Sequence, residues 1–374
     1  MLKPFAQGHR SLWDVIGERR EQQQRLAPPP RPVAHYDTTR MGLADAWLWL
    51  PNLSPAEARA GKALGKLTAD FEHDPRLVSP AGHRRNVRRI RAGTERPEVH
   101  ALPRARQLLQ GMFGQWHDFA AELDWDQTQV VLFAPTDIEA DPWLDAALEM
   151  WPFDYLPRHG FIAPEQAFAT WLPWALQNDL QAPNLLCIGL DSWATLARAG
   201  GLAGERMAGE AIAVLNLQRV DLANPEGNAR WQLYPPVTEA HGPRALQPRK
   251  STGSLEQVAE QLYERSRMAI AEVKALVTDG HHDDNRLEHL YQFVNTCLPD
   301  CDPQQHVIGH ALLAGEYGHG ISAMSALALA LQAANSLQGA VLVFDRHGST
   351  QTQGWLLGPS QVAVAGLQTS EHTG

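Results

Sequence analysis

The chain has 374 residues, of which 44% are hydrophobic and 20% are charged, so it can bury a large core. Its formal net charge of −10 argues against nucleic acid or an anionic membrane as the main partner. The 3 cysteines are too few for a disulfide framework, and the N-terminal residues lack the apolar core of a signal peptide. No long charge-free apolar run occurs outside one helix near the C-terminus, which contains Gln332 and Asn335. We therefore expect a cytoplasmic protein.

The N-terminal residues have the pattern of an arm followed by a stiff linker. Residues 11–21 are typical of a charged helix, and Ala27-Pro-Pro-Pro-Arg-Pro32 favours an extended chain. We predict that residues 1–33 form an arm and Pro-rich linker that pack on a neighbour.

Residues 35–100 give a weaker pattern. Residues 45–50 fit either a helix or a strand, and Ser54 followed by Pro55 predicts the start of a helix. The basic run at 83–91 is conspicuous in an acidic protein. We interpret it as a solvated surface, with binding of a phosphate-bearing ligand or an acidic protein as the alternative.

Helices and strands alternate from residue 100 onward, which predicts an α/β sandwich around a buried sheet. The elements predicted in the first part are a helix at 102–121, a strand at 129–134, a helix from 141, a helix at 163–176, and strands at 184–191 and 210–217. Those predicted in the second part are a helix at 254–273, a strand at 275–279, a helix at 284–297, a central helix after Gly318, and strands at 340–346 and 354–358. The helix–strand–strand order of 163–217 recurs at 318–358, so we predict a duplicated architecture with halves at 34–225 and 226–374.

The central helix carries small apolar residues on all sides and no charge over several turns. An amphipathic surface helix would instead show one apolar stripe and one charged face. We therefore expect this helix to be buried. Its N-terminus carries Gly318-His-Gly320, whose free backbone N–H groups and positive dipole end could face a pocket.

Three segments, in order and spacing, resemble the β-ketoacyl synthase branch of the thiolase-like fold. They are Cys187-Ile-Gly-Leu-Asp-Ser192, Met207-Ala-Gly-Glu-Ala211 and Gly318-His-Gly320 with its small-residue helix. The resemblance covers roughly residues 100–360. It implies a thiolase-like five-layered α/β/α/β/α sandwich of two pseudo-repeated halves that can pair as a homodimer. It also implies a binding site at Gly318, His319, Gly320, Asp191 and Ser192.

The chain departs from that family at the catalytic residues. The family places a cysteine nucleophile at the start of the first half's central helix, where a helix N-terminus lowers the pKa of a thiol. The corresponding residues 159–167 contain neither Cys nor Ser. The family's first catalytic histidine has its nearest counterpart in residues 278–284, with a different pattern, so only His319 matches. We expect condensing activity to be lost, with His319 as the catalytic residue if any activity remains.

Other chemistries are weakly supported. Cys297, Cys301, His306 and His310 are metal-ligand residue types, but only four residues separate the two pairs, so we predict no metal site. The His281–Asp284 cluster is explained as the start of a helix. Neither a Gly-x-Ser-x-Gly elbow nor a phosphate-cradling glycine loop occurs, so we expect no cofactor.

The sequence therefore favours a non-catalytic ketosynthase-like scaffold or adaptor that binds a protein partner. A looser similarity to the type VI secretion lipase-adaptor family, around Trp116-His-Asp-Phe119 and the strand 129–134, extends the expected partners to a secretion-system effector. The alternatives are a thiolase-fold enzyme of altered chemistry, a decarboxylase or acyl transferase using His319, and a silent subunit of a ketosynthase heterodimer.

Overall fold

A mixed sheet of eleven strands runs through the part of the chain that the structure describes. The computed structural model describes residues 35–63, 70–78, 82, 84–93, 96–178, 182–199, 202, 207–240, 253–279, 284–346 and 351–360. The arm predicted at 1–33 lies outside these residues. The described residues from Tyr36 onward belong to one compact unit.

The first set of elements, in chain order, is β1 (Tyr36–Trp49), α1 (Pro55–Arg59), β2 (Glu72–Val78), β3 (Arg84–Val87), α2 (Ala101–Phe113), α3 (His117–Ala121), β4 (Thr128–Phe133), α4 (Ala140–Met150), β5 (Phe161–Ile162), α5 (Phe168–Gln177), β6 (Asn184–Ser192), α6 (Leu196–Ala199) and β7 (Glu210–Asp221). The second set is β8 (Trp231–Leu233), β9 (Val237–Ala240), α7 (Gly253–Ser266), β10 (Val273–Thr278), α8 (Asp284–Cys297), β11 (Val307–Gly309), α9 (His310–Ala314), α10 (His319–Leu337), β12 (Ala340–Asp345) and β13 (Gln351–Pro359).

The same strand order occurs twice in the large sheet. The first half reads β5-β4-β6-β7-β1 and the second reads β11-β10-β12-β13-β8. In each half the first three strands are parallel, and the fourth is antiparallel to both neighbours. Strands β1 and β8 pair with each other and join the halves. This repetition confirms the two pseudo-repeated halves predicted from the order of elements.

Alternating side chains of each strand divide the molecule into layers. In β4, Val131 and Phe133 face a central core, whereas Val130 and Leu132 face an outer core. The central core holds α5 and α10 between the two halves of the sheet. Helices α2 and α4 cover the outside of the first half, and α7 and α8 cover the outside of the second. The result is the predicted α/β/α/β/α sandwich.

Helix α10 is the buried centre of this arrangement. It packs against α5 and against strands from both halves of the sheet. Its small side chains allow these close approaches on every side. By length and composition α10 could cross a membrane, yet 78% of Gly320–Leu337 is buried inside the protein. Its apolar surface is therefore covered by the protein's own sheet and helices.

Several predicted helix boundaries were wrong. The helix predicted at 102–121 is two helices, because the chain turns at Gly114 and places Trp116 in the outer core. The helix predicted at 163–176 begins at Phe168, because residues 161–162 pair with β4 as a short strand and residues 163–167 form a loop before the helix. The helix predicted at 254–273 ends at Ser266, where Arg267 takes a left-handed backbone conformation with φ of 57°.

The basic run at 83–91 is solvated only in part: Arg84 and Arg91 are exposed as predicted, whereas two arginines between them are buried. Arg88 and Arg89 are buried, 8% and 7% exposed. The Arg88 guanidinium donates hydrogen bonds to the backbone carbonyls of Asp70 (3.0 Å) and Leu312 (2.6 Å). Arg89 forms a 2.6 Å ion pair with Asp74 in the β2–β3 hairpin. Arg89 also donates a 3.0 Å hydrogen bond to the backbone carbonyl of Ala194, so Arg88 and Arg89 attach the hairpin to the body of the protein.

Candidate functional site

Asp191, near the end of β6, connects three distant segments of the chain. Its carboxylate accepts hydrogen bonds from the backbone N–H (3.2 Å) and the hydroxyl (2.6 Å) of Thr136, in the loop after β4. It also accepts from the backbone N–H of Ser192 (2.9 Å) and from that of Gly318, at the start of α10. The side chain thus links the first half to the central helix of the second.

The surroundings of Asp191 define its role. The residue is 2% exposed, and burial raises the pKa of its carboxyl group, while the hydrogen bonds from Thr136, Ser192 and Gly318 oppose that rise. A carboxylate at a helix N-terminus is also stabilised by the helix dipole. Because its oxygens already accept from three residues, Asp191 anchors the site rather than offering a free ligand group.

Gly318 makes this anchor possible. It is the N-cap of α10, with no side-chain capping bond of its own. A Cβ at this position would lie 1.8 Å from Oδ2 of Asp191 and 2.0 Å from Oγ1 of Thr136. Only glycine allows the Asp191 carboxylate to reach the first turn of α10 and take the place of a capping side chain.

We predict that Asp191→Asn destabilises the protein by about 1–3 kcal/mol, the cost of leaving a buried donor without an acceptor. The carboxamide replaces one acceptor oxygen with an NH₂ group, which would face backbone N–H donors. Urea denaturation followed by tryptophan fluorescence measures the change, with Asp126→Asn as the control at an exposed position. Equal stability of the two variants would contradict the anchoring role.

A cavity of about 460 Å³ opens beside this anchor. It lies where the end of β4 meets the N-terminal turns of α4, α5 and α10. The lining residues are Phe133, Ala134, Pro135, Thr136, Ile138, Glu139, Ala140, Asp141, Pro164, Glu165, Gln166, Ala167 and Gly320. The cavity combines an apolar floor with a polar mouth, which is the usual form of a ligand or partner pocket.

The mouth of the cavity is acidic. Glu139, Asp141 and Glu165 are exposed, and none of their carboxylates forms a hydrogen bond or ion pair with another of the described residues. The N-termini of α4, α5 and α10 oppose this charge only in part, since each helix end is equivalent to roughly half a positive charge. The described lining residues therefore carry an excess of negative charge, which disfavours an anion more than a cation.

No reactive thiol or hydroxyl lies at the start of α5. The N-cap is Ala167, and the first turn contains Phe168 and Ala169. Thr170, the first hydroxyl of the helix, is exposed and does not line the cavity.

The three cysteines lie elsewhere and are not activated. Cys187 is fully buried in β6, and burial raises the pKa of its thiol. Burial likewise raises the pKa of Cys297, at the end of α8, and of Cys301 after it. Since the thiolate is the nucleophilic form, none of the three is prepared for attack on a thioester.

Ser192 is not among the residues that line the cavity. Its hydroxyl donates a 2.7 Å hydrogen bond to Glu210, at the start of β7. Glu210 in turn pairs with Arg104 of α2 through bonds of 2.8 and 2.7 Å. Ser192 therefore belongs to a buried polar cluster within the first half.

The structure brings together part of the site predicted from the sequence. Gly318 contacts Asp191, and Gly320 lines the cavity. The side chain of His319 and residues 280–283, which include His281, lie outside the described part of the structure.

Sequence reasoning missed the polar residues of the mouth and the anchoring partner Thr136. Thr136 follows the end of strand β4, and the acidic residues lie at or just before the starts of helices. The available signal for Thr136 was the sequence Ala134-Pro-Thr136 directly after a predicted strand.

Two of the four residues considered as zinc ligands contact other groups of the protein. His310 pairs with the hydroxyl of Tyr317 at 2.9 Å, and the Cys301 sulfur lies 3.7 Å from the carbonyl of Val273. No group of three metal-ligating side chains occurs within the described residues.

Comparison with solved structures identifies the fold. The chain is similar to the ishigamide ketosynthase/chain length factor, with a TM-score of 0.59 and 14% identity over 86% of this chain and 99% of that one. It also matches a tetronic acid condensing enzyme (0.49, 13%, 85% and 99%) and a 3-oxoacyl-(acyl-carrier-protein) synthase III (0.46, 11%, 85% and 99%). No family model and no curated protein sequence matches the chain. The chain has the thiolase-like ketosynthase fold.

Proposed function

We propose that this chain, built on the thiolase-like ketosynthase fold, is a non-catalytic scaffold that binds a protein partner. The observation that carries the proposal is the start of α5, where the resemblance places a cysteine nucleophile and this chain has Ala167 and Phe168. Covalent acyl transfer needs an activated nucleophile within reach of a base. Neither a thiol nor a hydroxyl of the described residues lines the cavity at this position, apart from Thr136, whose hydroxyl is donated to Asp191.

The charge of the cavity mouth supports the same conclusion. A malonyl thioester carries a carboxylate, and entry would bring it toward Glu139, Asp141 and Glu165. Three unpaired carboxylates outweigh the partial positive charges of the nearby helix ends. The cavity is thus poorly suited to the acidic substrates of decarboxylating condensation.

The anchored junction also suits a scaffold. Asp191, Thr136 and Gly318 fix the two halves relative to each other at the cavity. A rigid surface loses little conformational entropy when a partner binds, so more of the contact energy appears as affinity. We extend the proposal to a cytoplasmic protein whose partner is a secretion-system effector or a ketosynthase-like chain. This chain would bind that partner either as a monomer or as a homodimer.

The catalytic part of the proposal predicts no turnover. Incubated with a malonyl thioester, the full chain should release carbon dioxide and thiol at the rate of the buffer blank. His319→Ala should give the same rate. Turnover above the blank that disappears in His319→Ala would instead establish the alternative, a thiolase-fold enzyme of altered chemistry, which the retained cavity of about 460 Å³ favours.

The binding part predicts a stoichiometric complex. The tagged full chain, expressed at its natural level in the host, should co-purify with a second protein in a defined ratio measured by mass spectrometry and light scattering. A ketosynthase-like chain in that complex would identify the protein as a silent heterodimer subunit. Recovery of the chain alone would contradict the scaffold proposal.

A further inference from the structure

The segment from Glu139 to Asp154 carries an unusual charge. It contains five acidic residues and no lysine or arginine, the acidic residues being Glu139, Asp141, Asp145, Glu149 and Asp154. All five are exposed. Of these, only Glu149 forms an ion pair among the described residues, with Arg106 at 2.6 Å. The segment therefore presents an excess of unpaired negative charge to solvent.

Helix α4 orders part of this charge on one side. Asp141, Asp145, Leu148 and Glu149 are exposed at i, i+4, i+7 and i+8 and share the outer side of the helix. The opposite side buries Trp143, Ala146 and Ala147 in the outer core. The helix is thus fixed on the sheet and shows a fixed acidic surface.

Large apolar side chains are exposed on helix α4 and on the residues that follow it directly. Phe153 is 89% exposed, Leu156 is 55% exposed and Leu148 is 43% exposed. They fall within nine consecutive residues of the chain. Apolar anchors grouped inside a polar rim are characteristic of protein-binding surfaces. We call the outer side of α4 with Phe153, Asp154 and Leu156 the acidic face.

The backbone that carries these anchors is held in place. The indole N–H of Trp151 donates a 2.8 Å hydrogen bond to the carbonyl of Tyr155. The Tyr155 ring stacks on Trp125 with centroids 5.5 Å apart, and Trp151 packs against Trp116 at 5.7 Å. Phe153 lies between these fixed residues while its own side chain points to solvent. The acidic face is therefore preorganised for binding.

We infer that the acidic face binds a basic amphipathic segment of the protein partner, with large apolar side chains flanked by Lys or Arg. This rests on the proposed scaffold function and names the chemistry of its partner. The apolar side chains of the segment would cover Phe153, Leu156 and Leu148, and its cations would pair with Asp145 and Asp154. A second copy of this chain would bind the acidic face less well than a basic segment, because a two-fold contact would place these carboxylates opposite one another.

A random peptide library displayed on phage, selected on the immobilised full chain and counter-selected on Phe153→Ser, tests the inference directly. Selected peptides should carry a net positive charge together with Phe, Leu or Trp. Their affinity, measured by fluorescence anisotropy, should fall with added salt, because ionic strength screens exposed charges. Failure to enrich any peptide, or enrichment of neutral or acidic peptides, would overturn it.

Matched variants separate this surface from general effects of charge and hydrophobicity. Phe153→Ser and Asp145→Lys with Asp154→Lys should each weaken peptide binding about tenfold or more. The controls are Leu222→Ser, at another exposed apolar residue (57%), and Glu226→Lys with Glu264→Lys, which change the charge equally elsewhere. The controls should bind like the wild type. Equal losses in test and control variants would contradict the proposed surface.

The outcome in the host distinguishes this inference from the scaffold proposal. If the natural partner co-purifies with the wild type and is lost with Phe153→Ser, both stand. If it co-purifies equally with Phe153→Ser and with Asp145→Lys/Asp154→Lys, the scaffold stands and the acidic face is wrong. If Phe153→Ser converts a dimer of this chain to a monomer in sedimentation, the occupant is a second copy and the inference fails.

Discussion

Replacing Arg104 with methionine should lower the free energy of unfolding by about 3–5 kcal/mol, the cost of removing one partner of a buried ion pair. Arg104 is 2% exposed and Glu210 is fully buried. The Glu210 carboxylate accepts two bonds from Arg104, of 2.8 and 2.7 Å, and also accepts from the backbone N–H of Ile90. Without the guanidinium, a carboxylate would remain buried without a counter-charge. Urea denaturation followed by tryptophan fluorescence measures the loss.

Two controls define what the pair contributes. Arg106→Met breaks the exposed pair with Glu149 and should cost less than about 1 kcal/mol, as surface ion pairs do. Arg104→Met combined with Glu210→Leu should recover part of the loss, because no charge is then left unpaired in the core. If Arg104→Met were no more costly than Arg106→Met, the central role assigned to this pair would be wrong.

Gly209→Ala should prevent stable folding or lower the free energy of unfolding by more than about 3 kcal/mol, which is the upper range for overpacking a core. Gly209 lies where the first half meets the second. Its N–H donates a 2.7 Å bond to the carbonyl of Glu316, whose own N–H donates to Met207 at 2.8 Å. A Cβ at position 209 would lie 1.9 Å from the backbone oxygen of Ala314.

A backbone oxygen cannot move away by a change of rotamer, as a side-chain atom can. The segments around Gly209 and Ala314 would therefore have to separate. The matched control is Gly320→Ala, where an added Cβ meets no atom within 4 Å and the residue lies inside a helix. That variant should be neutral or slightly more stable, since alanine favours helices over glycine. Soluble yield and calorimetric melting compare the two. A Gly209→Ala protein that melts like the wild type would show that the segments are not in close contact.

The elements buried in the middle of the protein were the most predictable from sequence. Helix α10 and strand β12 are long apolar runs with clear boundaries, and burial is the only stable outcome for such runs. The strand predicted at 184–191 is the buried β6, and the amphipathic pattern at 284–297 also predicted α8, which lies in the outer layer. Period and length determine these elements with little help from distant contacts.

The polar parts of the fold required the structure, because their partners lie far away in sequence. Arg88 is buried since it donates to the carbonyl of Leu312, more than 200 residues later. No local pattern distinguishes that arginine from its exposed neighbour Arg91. Asp191 was predicted from a family motif as a binding residue, and its partner Thr136 carries no signal of its own.

The cavity was equally hidden from sequence analysis. Its walls come from three helix starts, near 140, 167 and 320, which only the duplicated topology brings together. The sequence did identify the third of these, through Gly318 and Gly320. The acidic residues of the mouth are ordinary first-turn residues when each helix is considered alone.

The Asp191 anchor has a consequence for how the chain is assembled. A carboxylate from the first half takes the place of a capping residue for the central helix of the second, so that helix completes its N-terminus only after the first half has formed. The apolar surfaces of α5 and α10 likewise cover each other. The two halves, although similar in topology, therefore share buried contacts, and we expect them to unfold together in a single transition.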